Sequence, residues 1–217
     1  MKIFTHKVAA IIPACNEESR IGTVLEVVTQ ADVVDEIIVV NDGSTDKTAQ
    51  VAKSFPGVYL IDKRSNEGKG AALTTGIENT GCDILVFIDA DLVGFKVRHI
   101  EDLVNPLLQE DDLMMTVGKF SGGRLRTDLS QTLIPSISGQ RALRRSFMEG
   151  INFSEAGFGV EIALTRYAQQ SGAKIKEVII NDVTHITKEE KLGIAKGTWA
   201  RLGMYSDMVK NYLLARS

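Results

Sequence analysis

Apolar residues come in blocks along the first half of the chain. Val8-Ala9-Ala10-Ile11-Ile12-Pro13, Glu36-Ile37-Ile38-Val39-Val40, Val58-Tyr59-Leu60-Ile61 and Ile84-Leu85-Val86-Phe87-Ile88 are short, nearly continuous apolar runs. Such runs, with no polar face, read as strands buried on both sides, the pattern of a parallel sheet. Between them the period changes. Ile21, Val24, Leu25 and Val28 have helical spacing, a second helix runs through Thr48, Val51 and Ala52, and Asn66 to Leu73 opens a third. Strand and helix therefore alternate, which predicts an α/β chain: a doubly wound, mainly parallel sheet with helices on both faces. The second half is less regular. Ile100, Leu103, Val104, Leu107 and Leu108 predict a helix, Met114–Gly118 a strand, Ile162–Tyr167 a helix and Lys176–Ile180 a last strand.

The polar chemistry sits where these strands end. The fourth run stops in Asp89-Ala90-Asp91, two carboxylates one residue apart. Side chains alternate along an extended backbone, so both can point the same way. In an open α/β sheet the carboxyl ends of the strands face the ligand crevice. Paired carboxylates there suit a hard cation, Mg²⁺ or Mn²⁺, with phosphate oxygens completing its shell; two solvated aspartates are the plain alternative. The loops Ala14-Cys15-Asn16-Glu17-Glu18 and Asn41-Asp42-Gly43-Ser44-Thr45-Asp46 end at the same edge, and Gly68-Lys69-Gly70 adds a glycine-flanked cation. The first turn lacks G-x-G-x-x-G, and Gly68-Lys69-Gly70 lacks the rest of a P-loop.

Composition narrows the picture. The 217 residues suffice for one domain with a real core, and the net charge of −3 gives no argument for a nucleic-acid partner. Cys15 and Cys82 have no metal-finger spacing and suggest a reducing compartment. No apolar run reaches about 18 residues and the N-terminus lacks a signal-peptide core, so a cytoplasmic protein is expected.

Ile12-Pro13-Ala14-Cys15-Asn16-Glu17-Glu18, Val40-Asn41-Asp42-Gly43-Ser44-Thr45-Asp46, Asn66-Glu67-Gly68-Lys69-Gly70 and Asp89-Ala90-Asp91 together resemble the ordered motif series of glycosyltransferase family 2. The resemblance implies a GT-A fold and a nucleotide-sugar donor, most simply a UDP-sugar. It implies that Glu17 and Asp42 bracket the donor base and that Pro13 and Ala14 pack on base and ribose. Lys69 would meet the phosphates or the base, Asp89 with Ala90 the ribose, and Asp91 the metal. Glu18 and Asp46 are read as solvated or capping residues. One domain spans 1–217, with a nucleotide-sugar-binding half (1–95), an acceptor half (96–190) and a C-terminal helix (191–217).

The acceptor half rests on fewer residues. Lys119-Phe120-Ser121-Gly122-Gly123-Arg124-Leu125-Arg126 is a glycine-rich basic stretch, either a solvated loop or an acceptor phosphate site in which Arg124 makes a bidentate contact. Ser138-Gly139 and Gly157-Phe158-Gly159-Val160-Glu161 are similar to acceptor-pocket elements of family 2 and of the phosphoglycerate glucosyltransferases. Glu161 is a candidate base, or a carboxylate at a helix N-terminus. The same resemblance makes His185 a metal ligand beside Asp91. Leu192 to Leu213 interleaves apolar and basic residues at helical offsets. It packs on the domain or lies on a membrane surface, the latter suiting a polyprenyl-phosphate acceptor and a peripheral position at the inner face of the membrane. The acceptor is thus phosphorylated, small or lipid-linked, and a homodimer is open. A nucleotidyltransferase and a non-catalytic nucleotide-sugar-binding protein are the rival classes, the former disfavoured because Pro13–Glu18 has neither glycine nor arginine.

Overall fold

The computed structural model describes residues 6–121, 140–148 and 160–185. In chain order it runs β1 (Val8–Ala14), α1 (Ile21–Val28), β2 (Glu36–Asp42), α2 (Thr48–Lys53), β3 (Val58–Lys63), α3 (Lys69–Glu78), β4 (Ile84–Phe87), β5 (Leu92–Val93), α4 (Val97–Gln109), β6 (Leu113–Ser121), β7 (Arg141–Arg144), α5 (Val160–Ser171), β8 (Lys174–Asn181) and β9 (Thr184–His185). A seven-stranded sheet has the order β3-β2-β1-β4-β7-β6-β8, and β5 pairs with β9 in a separate two-stranded ribbon. Only the pairings of β7 with β4 and β6 are antiparallel within the large sheet.

The apolar runs form central strands because both faces are covered. Val8, Ala10, Ile12 and Ala14 of β1 join a core with α1 and α4, whereas Ala9 and Ile11 face a second core with Leu73 of α3 and Val160, Leu164 and Ala168 of α5. In α4, Ile100, Leu103, Val104 and Leu107 are fully buried, each contributing about 1.5–3 kcal/mol. Pro13 costs β1 little. Pairing with β4 ends at Ile11 opposite Phe87, so the proline lies beyond that ladder and pairs only with β2.

Two features depart from the sequence expectation. Strand β6 continues to Ser121, taking Lys119 and Phe120 out of the expected loop, because β8 pairs along it as far as Ser121 opposite Asn181. The second is β7: no strand is expected over Arg141-Ala142-Leu143-Arg144, yet it lies buried in mid-sheet. Its guanidinium groups are satisfied by hydrogen-bond acceptors distant in sequence. The Arg144 guanidinium donates to the carbonyls of Leu107 (2.7 Å) and Glu110 (3.2 Å) at the end of α4 and of Leu113 (3.0 Å). Arg145 does the same beyond α3, donating to Ile77, Thr80 and Cys82 carbonyls at 3.2, 2.7 and 2.8 Å. Cations are favoured where helix carbonyls point outward. Arg141 donates to Thr165 Oγ1 of α5 at 3.0 Å.

Helix α4 starts on a buried histidine. His99 Nδ1 accepts the Lys96 N–H at 3.1 Å, and its ring packs 5.7 Å from Phe95. Burial, followed by the charge of Arg98, pushes the His99 pKa below the usual histidine value. The neutral ring is therefore the folded form. Below about pH 6.5 the unfolded chain binds a proton that the folded chain refuses, so stability present above that pH is lost as pH falls, by at most about 1.4 kcal/mol per unit. Urea unfolding between pH 7.5 and 5.5 should show this slope, and His99→Gln should flatten it. A slope unchanged by the substitution would place the acid sensitivity elsewhere.

Candidate active site

The carboxyl ends of β1, β2 and β4 converge on one edge, and side chains stitch their loops together. Asn16 turns the chain out of β1 with φ of 56°. Its N–H donates to Ser44 Oγ at 2.9 Å, and its side-chain oxygen accepts the Thr45 N–H at 2.9 Å. The Glu17 N–H reaches Thr48 Oγ1 at 2.8 Å. Asp46 accepts from the N–H groups of Thr48 (2.9 Å) and Glu18 (3.1 Å), while the Glu18 carboxylate accepts the Lys47 N–H at 2.8 Å. Burial works to raise the Asp46 pKa, but the Thr48 and Glu18 hydrogen bonds outweigh it and hold the carboxyl below the usual aspartate range. Glu18 and Asp46 are thus structural stitches, which leaves the half-buried Glu17 at the rim.

Asp42 is buried and heavily engaged. Its carboxylate accepts the N–H groups of Gly68 (2.8 Å) and Glu67 (3.1 Å) and pairs with Lys63 Nζ at 3.0 Å. Lys63 also pairs with Glu67 at 3.0 Å. Burial would lower the Lys63 pKa, but the two carboxylates raise it above the usual lysine value. A carboxylate offers about four lone-pair sites, so little acceptor capacity is left at Asp42 for a further donor. The loop entering α3 can lie this close because residue 43 is glycine. Its φ is +67°, and a Cβ there would stand 2.5 Å from the Asn66 nitrogen.

Lys69 begins α3 and reaches across to β4, where its Nζ lies 2.7 Å from Asp89 Oδ1. The other oxygen of Asp89 accepts from Gln140 Nε2 at 2.8 Å, and the Asp89 N–H donates back to Gln140 Oε1 at 3.0 Å. Asp89 and Asp91 are half-buried, with Ala90 and Ala14 buried and Pro13 half-buried at the same edge. Directly after Asp91 the chain enters the ribbon, where Leu92 pairs with His185 and Val93 with Thr184. The ribbon is held closely. Gly94 has φ +78°, and a Cβ there would stand 2.2 Å from the Asp182 carbonyl oxygen.

The fold therefore brings Pro13, Ala14, Glu17, Asp42, Lys69, Asp89, Ala90 and Asp91 to one edge and sets the His185 backbone beside Leu92. Glu161 lies in the first turn of α5. Arg124, Ser138 and Gly139 lie outside the described residues. Sequence reasoning passed over Lys63 and Gln140. Neither stands in a recognisable motif, and each is tied to the edge only by the sheet pairing that the fold creates.

The family model described as "Glycosyl transferase family 2" matches residues 9–161, most of the chain and all of this edge. The chain belongs to glycosyl transferase family 2. Among curated relatives, 4,4'-diaponeurosporenoate glycosyltransferase of Staphylococcus aureus is 39% identical over 107 residues, 47% of this chain. That stretch spans only 28% of the relative. Among solved structures, glucosyl-3-phosphoglycerate synthase of Mycobacterium tuberculosis with Mn²⁺, UDP and glucosyl-3-phosphoglycerate superposes with a TM-score of 0.70 at 28% identity, over 84% of this chain and 72% of that one. The same enzyme with Mn²⁺ and UDP-glucose gives 0.69 at 29%, with the same coverage. The mainly parallel sheet with helices on both faces is thus the GT-A fold of those neighbours.

For a family 2 chain the chemistry of this edge is coherent. Carboxylates at a strand end are of the chemistry that suits a hard cation, and the lysine paired with one of them is of the chemistry that can face phosphate oxygens. Among the described residues no three His, Cys, Asp or Glu side chains converge as a closed metal cage.

Proposed function

We propose that this family 2 protein is a metal-dependent glycosyltransferase that moves a sugar from a UDP-sugar to a phosphorylated acceptor. The observation that carries this reading is the end of β4, where Asp89-Ala90-Asp91 sits against Lys69 and runs straight into the ribbon pairing Leu92 with His185. The neighbours' complexes with Mn²⁺, UDP-glucose and glycerol 3-phosphate support the donor, the metal and the phosphate-bearing acceptor.

In this reading Asp91 and His185 would hold Mn²⁺ or Mg²⁺ beside the donor diphosphate. The metal, when bound, stabilises the negative charge that develops on the departing diphosphate. Lys69 adds a fixed cation to the same phosphates, and Asp89 with Ala90 receives the ribose. Pro13 and Ala14 form the floor under the base. Glu17 accepts from its imide, sharing that task with whatever capacity Asp42 retains. Glu161 is the base toward the acceptor hydroxyl. Arg124, Ser138 and Gly139 would hold the acceptor phosphate. The donor half is 1–95 and the acceptor half 96–190 of one domain; the C-terminal stretch 191–217 lies outside the described residues.

The test is UDP release from a panel of UDP-sugars with Mn²⁺, with and without phosphoglyceric acid, glycerol 3-phosphate or a polyprenyl phosphate. Release should require both metal and one of these acceptors. Failure of every UDP-sugar would overturn the reading. Once an acceptor is found, Arg124→Ala should lower acceptor efficiency roughly ten- to a hundredfold, the value of a lost charge-assisted contact, and leave UDP affinity alone. Normal transfer by that variant would move the acceptor phosphate elsewhere.

A further inference from the structure

We infer that Gln140 is a positioning residue that sets the carboxylate of Asp89 for the donor; the inference rests on the donor site proposed above. Gln140 is fully buried, the first residue before β7. Because β7 runs antiparallel to β4, with Arg141 opposite Phe87, the residues ahead of β7 arrive at the carboxyl end of β4. The Gln140 carboxamide there engages Asp89 twice, through the Asp89 N–H at 3.0 Å and Asp89 Oδ2 at 2.8 Å. Two hydrogen bonds from one planar amide fix both the backbone and the rotamer of the residue they hold. With one oxygen so held, Asp89 turns its other oxygen to Lys69 at 2.7 Å. The amide thus orders a row of Gln140, Asp89 and Lys69 along the donor edge.

The surroundings are shaped for this amide. The Gln140 carbonyl accepts the Gly118 N–H at 2.9 Å. A Cβ on Gly118 would stand 3.2 Å from that carbonyl oxygen, 3.3 Å from Gln140 Cβ and 2.3 Å from Ile180 Cδ1. Glycine on β6 leaves room for the Ile180 side chain and lets the Gln140 backbone lie close beside it. A glutamine is also the right chemistry: a neutral group that accepts from a backbone N–H and donates to a carboxylate at once. Glutamate could accept but not donate, and methionine could do neither.

UDP with Mn²⁺ is the probe, titrated calorimetrically into wild type, Gln140→Met, Asp89→Ala and the double variant, each with its thermal midpoint. Gln140→Met should bind UDP·Mn²⁺ roughly tenfold or more weakly, the effect of losing a hydrogen bond to a charged group. In the Asp89→Ala background the same change should cost less than twofold, since the carboxylate it positions is gone. That coupling separates a positioning role from general damage, which would add in both backgrounds. If Gln140→Met does not fold, Gln140→Glu keeps the volume and the acceptor for the Asp89 N–H, and the same cycle applies. Wild-type affinity in a folded variant, or equal losses with and without Asp89, would overturn the inference. Absence of UDP·Mn²⁺ binding in wild type would instead overturn the donor-site reading itself.

Discussion

Asp91→Asn should fold as well as wild type and lose metal-assisted donor binding and transfer. The substitution keeps the shape of a half-buried side chain at the end of β4, so the thermal midpoint should move little. What changes is charge. An amide is a poor ligand for a hard cation, and the remaining proposed ligand, His185, cannot hold it alone. Metal stabilisation of a departing phosphate group is worth several kcal/mol, and each 1.4 kcal/mol is about tenfold in rate. Transfer should therefore fall on the order of a hundred- to a thousandfold. UDP affinity in Mn²⁺ should fall to its metal-free value, a readout that needs no acceptor. Unchanged Mn²⁺-dependent affinity would remove Asp91 from the metal site.

Asp42→Ala should act on stability first. The carboxylate is buried, accepts two backbone N–H groups of the loop into α3 and pairs with the buried Lys63 ammonium. Truncation leaves those N–H groups without their acceptor and leaves Lys63 with Glu67, which is half-exposed at 56% and a weaker partner. Removing one partner of a buried pair costs about 3–5 kcal/mol, and the surviving Glu67 contact places the expectation near the lower end. In a chain of this size that is a fall of roughly 6–12 °C in thermal midpoint. The loop it holds carries Lys69, so UDP affinity should fall as well. Asp42→Asn, which retains an acceptor oxygen, should recover part of the stability. A midpoint within about 1 °C of wild type for Asp42→Ala would mean that this network contributes little.

These two residues also show what a sequence can and cannot disclose. Asp91 was legible because a strand buried on both faces is apolar throughout, and the carboxylates of Asp89-Ala90-Asp91 mark where it leaves the core. The same logic located β1, β2 and β4. Asp42 was legible as a strand-end carboxylate, but not its engagement, because its partners Lys63, Glu67 and Gly68 arrive only when β3 pairs in parallel beside β2. Gln140 is 51 positions from Asp89, and only the antiparallel insertion of β7 makes them neighbours. That insertion was hidden for an electrostatic reason. Arg141 and Arg144 look solvated until Thr165 and the carbonyls at the end of α4 are in place to receive them. Local pattern reports a residue's own backbone preference; long-range hydrogen bonds leave no local trace.

The most direct test of a metal-dependent UDP-sugar site is the thermal midpoint of the wild-type protein with UDP alone, Mn²⁺ alone and both together. A ligand that binds only the folded chain stabilises it by about 2.7 kcal/mol at a hundred times its dissociation constant, which corresponds to roughly 5–10 °C here. UDP and Mn²⁺ together should raise the midpoint by that amount, well beyond the sum of their separate effects, and Asp91→Asn should abolish the excess. The same midpoint in all conditions, or a UDP shift indifferent to the metal, would contradict it.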